Sequence, residues 1–173
     1  VNNLMPSLNS IFGQTYRNVR VILNLPFYSK RLNSPYIFPE YLKRLAEEVP
    51  FFSVERTEDF GPATKLLPTL MKVDNPAARI INVDDEYIYP PQMIEFLVRE
   101  SLIDEDAAYG FAGQNVEFDH NSRIGLRVRS ADKPDWNKHK GAVDILEAFL
   151  GVIYKRSFFD VSVFCEVCSK TKM

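Results

Sequence analysis

The stretch RIINVDDEYIYPP, residues 79–91, carries the reading of the fold. Arg79 to Val83 is a short β-branched apolar run and predicts a buried strand. It delivers three carboxylates, Asp84, Asp85 and Glu86, to the C-terminal end of that strand. Pro90-Pro91 then opens a helix that the pattern carries to about Ile103. A strand that ends in polar residues and feeds a helix is half of a βαβ unit, and ligands of open α/β sheets bind at that carboxyl end.

Working outward, the same alternation recurs. Val19 to Leu25 (VRVILNL) and Phe51 to Arg56 (FFSVER) read as strands, with an amphipathic helix over Glu40 to Glu48 between them and Pro39 at its first position. Ala63, Leu66, Leu67, Leu70 and Met71 form a helical stripe in which Pro68 is a candidate kink. Asn2 to Phe12 is a further amphipathic helix stopped by Gly13. Ala107 to Ala112 and the GAVDILE run at 141–147 are strand candidates, and GVIYKRSFF follows from Gly151. Residues 27–38 read as a loop. The alternation predicts an α/β domain with a mainly parallel sheet covered by helices on both faces. Such folds usually open on a strand, whereas this chain opens on a helix at Val1, so the expectation is a core lacking its first strand.

The composition is that of an ordinary globular domain. The 173 residues carry 21 Lys and Arg against 23 Asp and Glu, a net charge of −2. That balance excludes a general nucleic-acid binder, which needs a basic excess. With 13 Phe and 8 Tyr the chain is not a disordered one. It has no run of 18 apolar residues and no basic-then-apolar leader, so the expectation is a protein without a membrane span. Cys165 and Cys168 form a lone C-x-x-C, which lacks the second pair of a structural zinc site. They read as two structural thiols and point to a reducing, cytoplasmic compartment.

Three adjacent carboxylates repel one another and need a counter-charge. A hard divalent cation, Mg²⁺ or Mn²⁺, supplies it, with phosphate oxygens completing its shell. On an extended backbone Asp84 and Glu86 face one way and Asp85 the other, so a D-x-E pair can share one metal–diphosphate. The alternative is a solvated acidic turn. A second feature is Asp59-Phe60-Gly61-Pro62-Ala63-Thr64-Lys65, a turn into a helix. A helix N-terminus suits a phosphate. Lys65 in the first turn opposes the helix dipole, which favours a bound anion there; the alternative is an exposed lysine on a helix face. The pattern is not a P-loop, because GxxxxGK[ST] is absent.

Taken together, RTEDFGPATKLLPTL (56–70), RIINVDDEYIYPP (79–91) and VDILEAFLGVIYKRSFF (143–159) resemble the nucleotide-sugar-dependent glycosyltransferases of the GT-A fold. They resemble in particular the Fringe-like glycosyltransferase domains encoded by chlorella viruses. The resemblance implies a single glycosyltransferase domain over 1–173, with a nucleotide- and metal-binding part at about 1–112 and an acceptor-side part at about 113–173. It implies transfer of a hexose-type sugar from a UDP-sugar to a glycan hydroxyl, with inversion, aided by Mn²⁺ or Mg²⁺. On this resemblance Asp84 and Glu86 hold the metal and Asp84 and Asp85 the ribose–diphosphate. Asp59, Gly61, Thr64 and Lys65 line the nucleotide. Asp144 and Glu147 are the candidates for the catalytic base, and a viral chain would act in the host cytoplasm. Related chains carry a nucleotide-contacting first strand and a later acidic pair, neither of which is seen here.

Residues 113–140 show no clear period. Arg123, Arg127, Arg129, Lys133, Lys138 and Lys140 face only Asp132 and Asp135 between 123 and 140. Residues 84–106 show the reverse: Asp84, Asp85, Glu86, Glu95, Glu100, Asp104, Glu105 and Asp106 against Arg99. The basic segment reads either as a lid over the diphosphate, with Trp136 stacking on a sugar, or as a solvated excursion. His120 and His139 within it read as exposed rather than ligating. Two other functions fit less of the pattern. A nucleotidyltransferase would carry a Gly-rich N-terminal loop with Arg and Lys, and a non-enzymatic glycan-binding module would need neither metal nor nucleotide.

Overall fold

A computed structural model describes residues 4–118, 126–130, 141–160 and 162. In chain order, α1 (Leu4–Phe12) is followed by β1 (Val21–Pro26), the two-residue strands β2 (Tyr28–Ser29) and β3 (Ser34–Pro35), and α2 (Glu40–Glu48). β4 (Phe52–Thr57), a 3₁₀ turn at Gly61–Lys65 and α3 (Leu67–Lys72) come next. β5 (Arg79–Asn82), α4 (Met93–Ile103), β6 (Tyr109–Gly110), β7 (Gly113–Phe118), β8 (Leu126–Ser130), β9 (Ile145–Leu146) and β10 (Val152–Lys155) complete the described chain, with 3₁₀ turns at Ala148–Leu150 and Arg156–Phe158. The architecture is mixed α/β with small sheets.

The chain forms two compact units. One consists of the N-terminal residues to Tyr16 together with Arg79–Lys155; the other consists of Arg17–Ala78 and the chain from Arg156. In the second unit β1 and β4 pair in parallel, Val21 opposite Phe52 through Pro26 opposite Thr57. A parallel pair needs a crossover, and α2 supplies it. Leu42 of α2, Phe52 and Leu25 of the strands and Leu67 and Leu70 of α3 are all buried.

The stripe at 63–71 is split into two elements. Pro68 has no N–H to give and its ring crowds the carbonyl four residues back, so α-helical structure cannot run through it. The 3₁₀ turn therefore ends at Lys65, and Pro68 falls in the first turn of α3, where its missing N–H is no loss. At the other end of α3 the Arg156 guanidinium donates to the carbonyls of Leu70 (3.1 Å) and Val73 (2.8 Å), placing a cation on the negative end of the helix.

In the first unit the sheet order is β5-β10-β6, and β10 is antiparallel to both neighbours. β5 and β6 thus run parallel to each other, as the β5–α4–β6 crossover predicts, but β10 lies between them. Here the mainly parallel sheet expected from the alternation is replaced by antiparallel pairing. The reason lies in the connection: from β6 to β10 no described element is a crossover α-helix, and strands joined without one return antiparallel. The segment from 113 is not wholly without regular structure either. β7 pairs with β8 (Gln114 opposite Ser130 through Phe118 opposite Leu126) and with β9 (Gly113 opposite Leu146), all antiparallel. Residues 27–38, read as a loop, contain the small β2–β3 hairpin.

The core of this unit is built from Leu4, Leu8 and Ile11 of α1, Met93, Ile94 and Leu97 of α4, and Val152 and Ile153 of β10. Gly151 precedes β10 with φ +103°, and a Cβ there would meet the Met93 sulfur at 3.2 Å. No helix among the described residues is long and apolar enough to cross a membrane.

Candidate functional site

The acidic residues sit immediately beyond β5. The strand ends at Asn82, one residue earlier than the apolar run suggested, and Asp85 and Glu86 occupy a turn. The extended alternation that would aim Asp84 and Glu86 to one side is therefore absent. Asp84 is half-buried, whereas Asp85 and Glu86 are exposed. Turning the chain here exposes the two carboxylates without separating them from the sheet edge.

A single buried side chain organises this turn. The Tyr89 hydroxyl accepts the backbone N–H of Asp84 at 2.9 Å and donates to the carbonyl of Phe149 at 2.8 Å. It also lies 3.0 Å from the Asp84 carbonyl, which accepts from the Ser7 hydroxyl at 3.3 Å. A phenol has one proton to give, and the shorter contact to Phe149 is its natural destination. Tyr89 is only 3% exposed, and burial pushes its hydroxyl well above the ordinary tyrosine range. The Tyr87 ring packs 5.3 Å from Phe149 and 6.5 Å from Tyr89, centroid to centroid.

Helix α1 and the residues after it brace the same segment from below. Ser10 accepts the Tyr89 N–H at 3.0 Å. The Gln14 amide, 1% exposed, donates to the Pro90 carbonyl (2.7 Å) and accepts the Ile94 N–H (2.9 Å) at the start of α4. Thr15 donates its N–H to the Pro91 carbonyl at 2.8 Å and its hydroxyl to Glu95 at 2.6 Å. Sequence reasoning missed this bracing. The polar residues Ser7, Ser10 and Gln14 lie at i, i+3 and i+7, spaced like the apolar stripe, which was the available signal.

The two base candidates flank β9. The Asp144 carboxylate accepts the Val116 N–H of β7 at 2.8 Å, and its own N–H donates to the Gln114 carbonyl at 3.1 Å. Glu147 accepts from the Gln114 side-chain amide in a short contact, and its N–H donates to the Ala112 carbonyl at 3.0 Å. Asp144 is exposed and Glu147 half-buried. Both carboxylates thus hold the β9 segment to β7, a structural task that their sequence context did not reveal. Through Tyr89 and Phe149, the 147–152 segment is tied to the backbone of Asp84, so two of the three quoted stretches meet within the first unit.

The third stretch belongs to the second unit. The Asp59 carboxylate accepts the N–H groups of Lys30 (2.8 Å) and Gly61 (2.7 Å), and these bonds hold it below the usual carboxylate range. The buried Thr64 hydroxyl accepts the Phe60 N–H at 2.8 Å. Gly61 has φ +60°, which only glycine adopts at little cost. Asp59, Gly61 and Thr64 therefore build the turn that presents the exposed Lys65. Next to it is a feature that sequence reasoning did not single out. The Arg56 guanidinium lies 4.8 Å from the Phe27 ring and 5.7 Å from the Phe38 ring and donates to the Tyr36 carbonyl at 3.2 Å. Its aromatic partners come from the 27–38 segment, so no local spacing announces the stack.

Among the described residues, no three His, Cys, Asp or Glu side chains converge on one point that could hold a metal. The donor set at 84–86 still suits a hard cation, being all carboxylate oxygen, and among the described residues no basic side chain pairs with Asp85 or Glu86. It fits an ion held by one or two carboxylates and completed by phosphate oxygens rather than an all-protein cage. His120, Arg123, Lys133, Trp136, Lys138, His139, Lys140, Cys165 and Cys168 lie outside the described residues, as does most of the proposed lid. Comparison of the chain with family models, curated proteins and solved structures found no match in any of the three.

Proposed function

We propose that the protein is a divalent-cation-dependent glycosyltransferase of the GT-A type that transfers a hexose from a UDP-sugar to a glycan hydroxyl. One observation carries the reading. The acidic turn at the end of β5 is pinned through Tyr89 to the carbonyl of Phe149, two residues beyond Glu147. A diphosphate-binding edge and a carboxylate-bearing acceptor edge are what a direct sugar transfer needs side by side. The order of the three stretches resembling GT-A glycosyltransferases supports the same reading.

In this proposal Asp84 and Glu86 hold Mn²⁺ or Mg²⁺, and Asp84 and Asp85 orient the ribose–diphosphate. When bound, the cation neutralises the leaving diphosphate. Glu147 or Asp144 takes the proton from the acceptor hydroxyl as general base. Asp59, Gly61, Thr64 and Lys65 are proposed to contact the nucleotide. The half-buried Glu147, already oriented by the Gln114 amide, is the better placed of the two bases.

The test is a panel of nucleotide sugars with Mn²⁺, read by UDP release and by the shift in melting temperature. A UDP-sugar with Mn²⁺ is expected to raise the melting temperature and to release UDP when acceptor is added. Asp84→Ala and Glu86→Ala are expected to abolish both effects, and Lys65→Ala to weaken the shift. A parent protein that neither shifts nor releases UDP with any donor would overturn the reading.

A further inference from the structure

The Tyr89 hydroxyl does more than fill a buried hydrogen-bonding position. It reaches both the backbone of the acidic turn and the backbone of the 148–150 turn. It satisfies the Asp84 N–H at 2.9 Å and the Phe149 carbonyl at 2.8 Å, and it is 3% exposed. Its own backbone N–H is fixed by the Ser10 hydroxyl at 3.0 Å, so the ring is anchored behind as well as in front. Asp84 receives a second tether on its carbonyl from Ser7 at 3.3 Å. The carboxylates of Asp85 and Glu86, by contrast, stand exposed on a turn. The Asp84 peptide groups next to them are held by Tyr89 and by Ser7.

We infer that Tyr89 is a positioning residue: its hydroxyl sets the Asp84–Glu86 turn for cation binding and couples the state of that turn to the Phe149–Leu150 peptide on the acceptor side. The inference rests on the proposed cation site and deepens it. Tyr89 need not touch the ion. Groups that orient metal ligands from behind commonly change affinity by about 10- to 100-fold when removed. Tyr89→Phe keeps the ring and its packing but removes both bonds, leaving the Asp84 N–H and the Phe149 carbonyl without their partner.

Backbone amide NMR during a Mg²⁺ titration at a fixed concentration of UDP, whose phosphate oxygens complete the ion's shell, tests this on the parent protein. Mg²⁺ is diamagnetic, and the Leu150 N–H shares a peptide unit with the Phe149 carbonyl, so it reports that bond. The Asp84 and Leu150 amides are expected to move together, with one Kd. In Tyr89→Phe the Asp84 amide is expected to exchange faster with solvent, the Kd for Mg²⁺ to rise by about 10-fold or more, and Leu150 to stop following. The same rise is expected for Mn²⁺, read by its EPR signal. A merely structural tyrosine would lower the folded fraction, hence the amplitude of binding, while leaving the Kd of the folded molecules alone. Movement of Asp84 without Leu150 in the parent, or an unchanged Kd in folded Tyr89→Phe, overturns the inference and spares the cation site. Should Tyr89→Phe not fold, the parent titration decides alone. If Asp84, Asp85 and Glu86 are all unmoved in the parent, the cation site itself falls, and this inference falls with it.

Discussion

Asp84, Asp85 and Glu86 show how far a residue can be read from its neighbours. Their place after an apolar run predicts their position beyond a strand, and β5 runs from Arg79 to Asn82. Their directions could not be read, because the turn at 85–86 is held by Tyr89 and by Ser7 from a helix 77 residues away in sequence. Asp144 and Asp59 make the same point. Each was singled out for its charge, and each spends a carboxylate oxygen on a backbone N–H of another segment, Val116 and Lys30. Gly151 supports a prediction at this scale. Its φ of +103° is costly for any residue with a Cβ, and that Cβ would press on the Met93 sulfur at 3.2 Å. Gly151→Ala is expected to lower stability by about 1–3 kcal/mol in a urea unfolding titration. A smaller loss would mean that the loop before β10 relaxes.

At the scale of elements, helices were the more legible. Glu40–Glu48 matches the predicted span, and α1 and α4 end where expected, at Phe12 and Ile103. Their signal is local, one apolar face repeated along a single segment. Strand pairing was not legible, since a strand's partner is chosen by the connection and not by its own sequence. β10 pairs with β5, some 70 residues earlier, and displaces the expected parallel neighbour. The joint is reinforced by Glu105, just beyond α4, which accepts from Lys155 of β10 (2.8 Å) and Arg79 of β5 (3.2 Å). The Lys155 hydrogen bond, then the charges of Lys155 and Arg79, hold its carboxyl below the usual range. A carboxylate whose folded pKa is depressed adds stability above its unfolded pKa and loses it as pH falls through the folded value. Glu105→Gln is therefore expected to melt below the parent at pH 6, with the gap closing as the pH falls below about 4. Melting curves of both proteins across that range check it. A gap that persists at pH 3 would assign the loss to packing.

At the scale of the whole molecule, the chain contributes to its two units out of order, with the first unit taking both Tyr16 and Arg79 while the second takes Arg17 to Ala78. Each unit has its own core and so its own weak point. Leu42→Ala and Leu97→Ala remove buried side chains exposed by 0% and 1% and are each expected to cost about 2–5 kcal/mol. Amide exchange should rise first in β4 for Leu42→Ala and in β10 for Leu97→Ala, the strands against which α2 and α4 pack; the reverse pattern would contradict the division. The near-neutral charge of −2 reflects an acidic run at 84–106 cancelled elsewhere, including by Arg127 and Arg129 on β8. By itself the sequence determined α1, α2 and α4, the positions of β1, β4 and β5 and the carboxylates at a strand end, because those depend on periodicity within one segment. The tertiary structure decided which strands pair, which carboxylates are spent on backbone N–H groups, and the bracing of the acidic turn by α1 and Tyr89. Those outcomes depend on hydrogen bonds between segments 28 to 80 residues apart, and a buried polar group takes whichever partner the fold brings within reach.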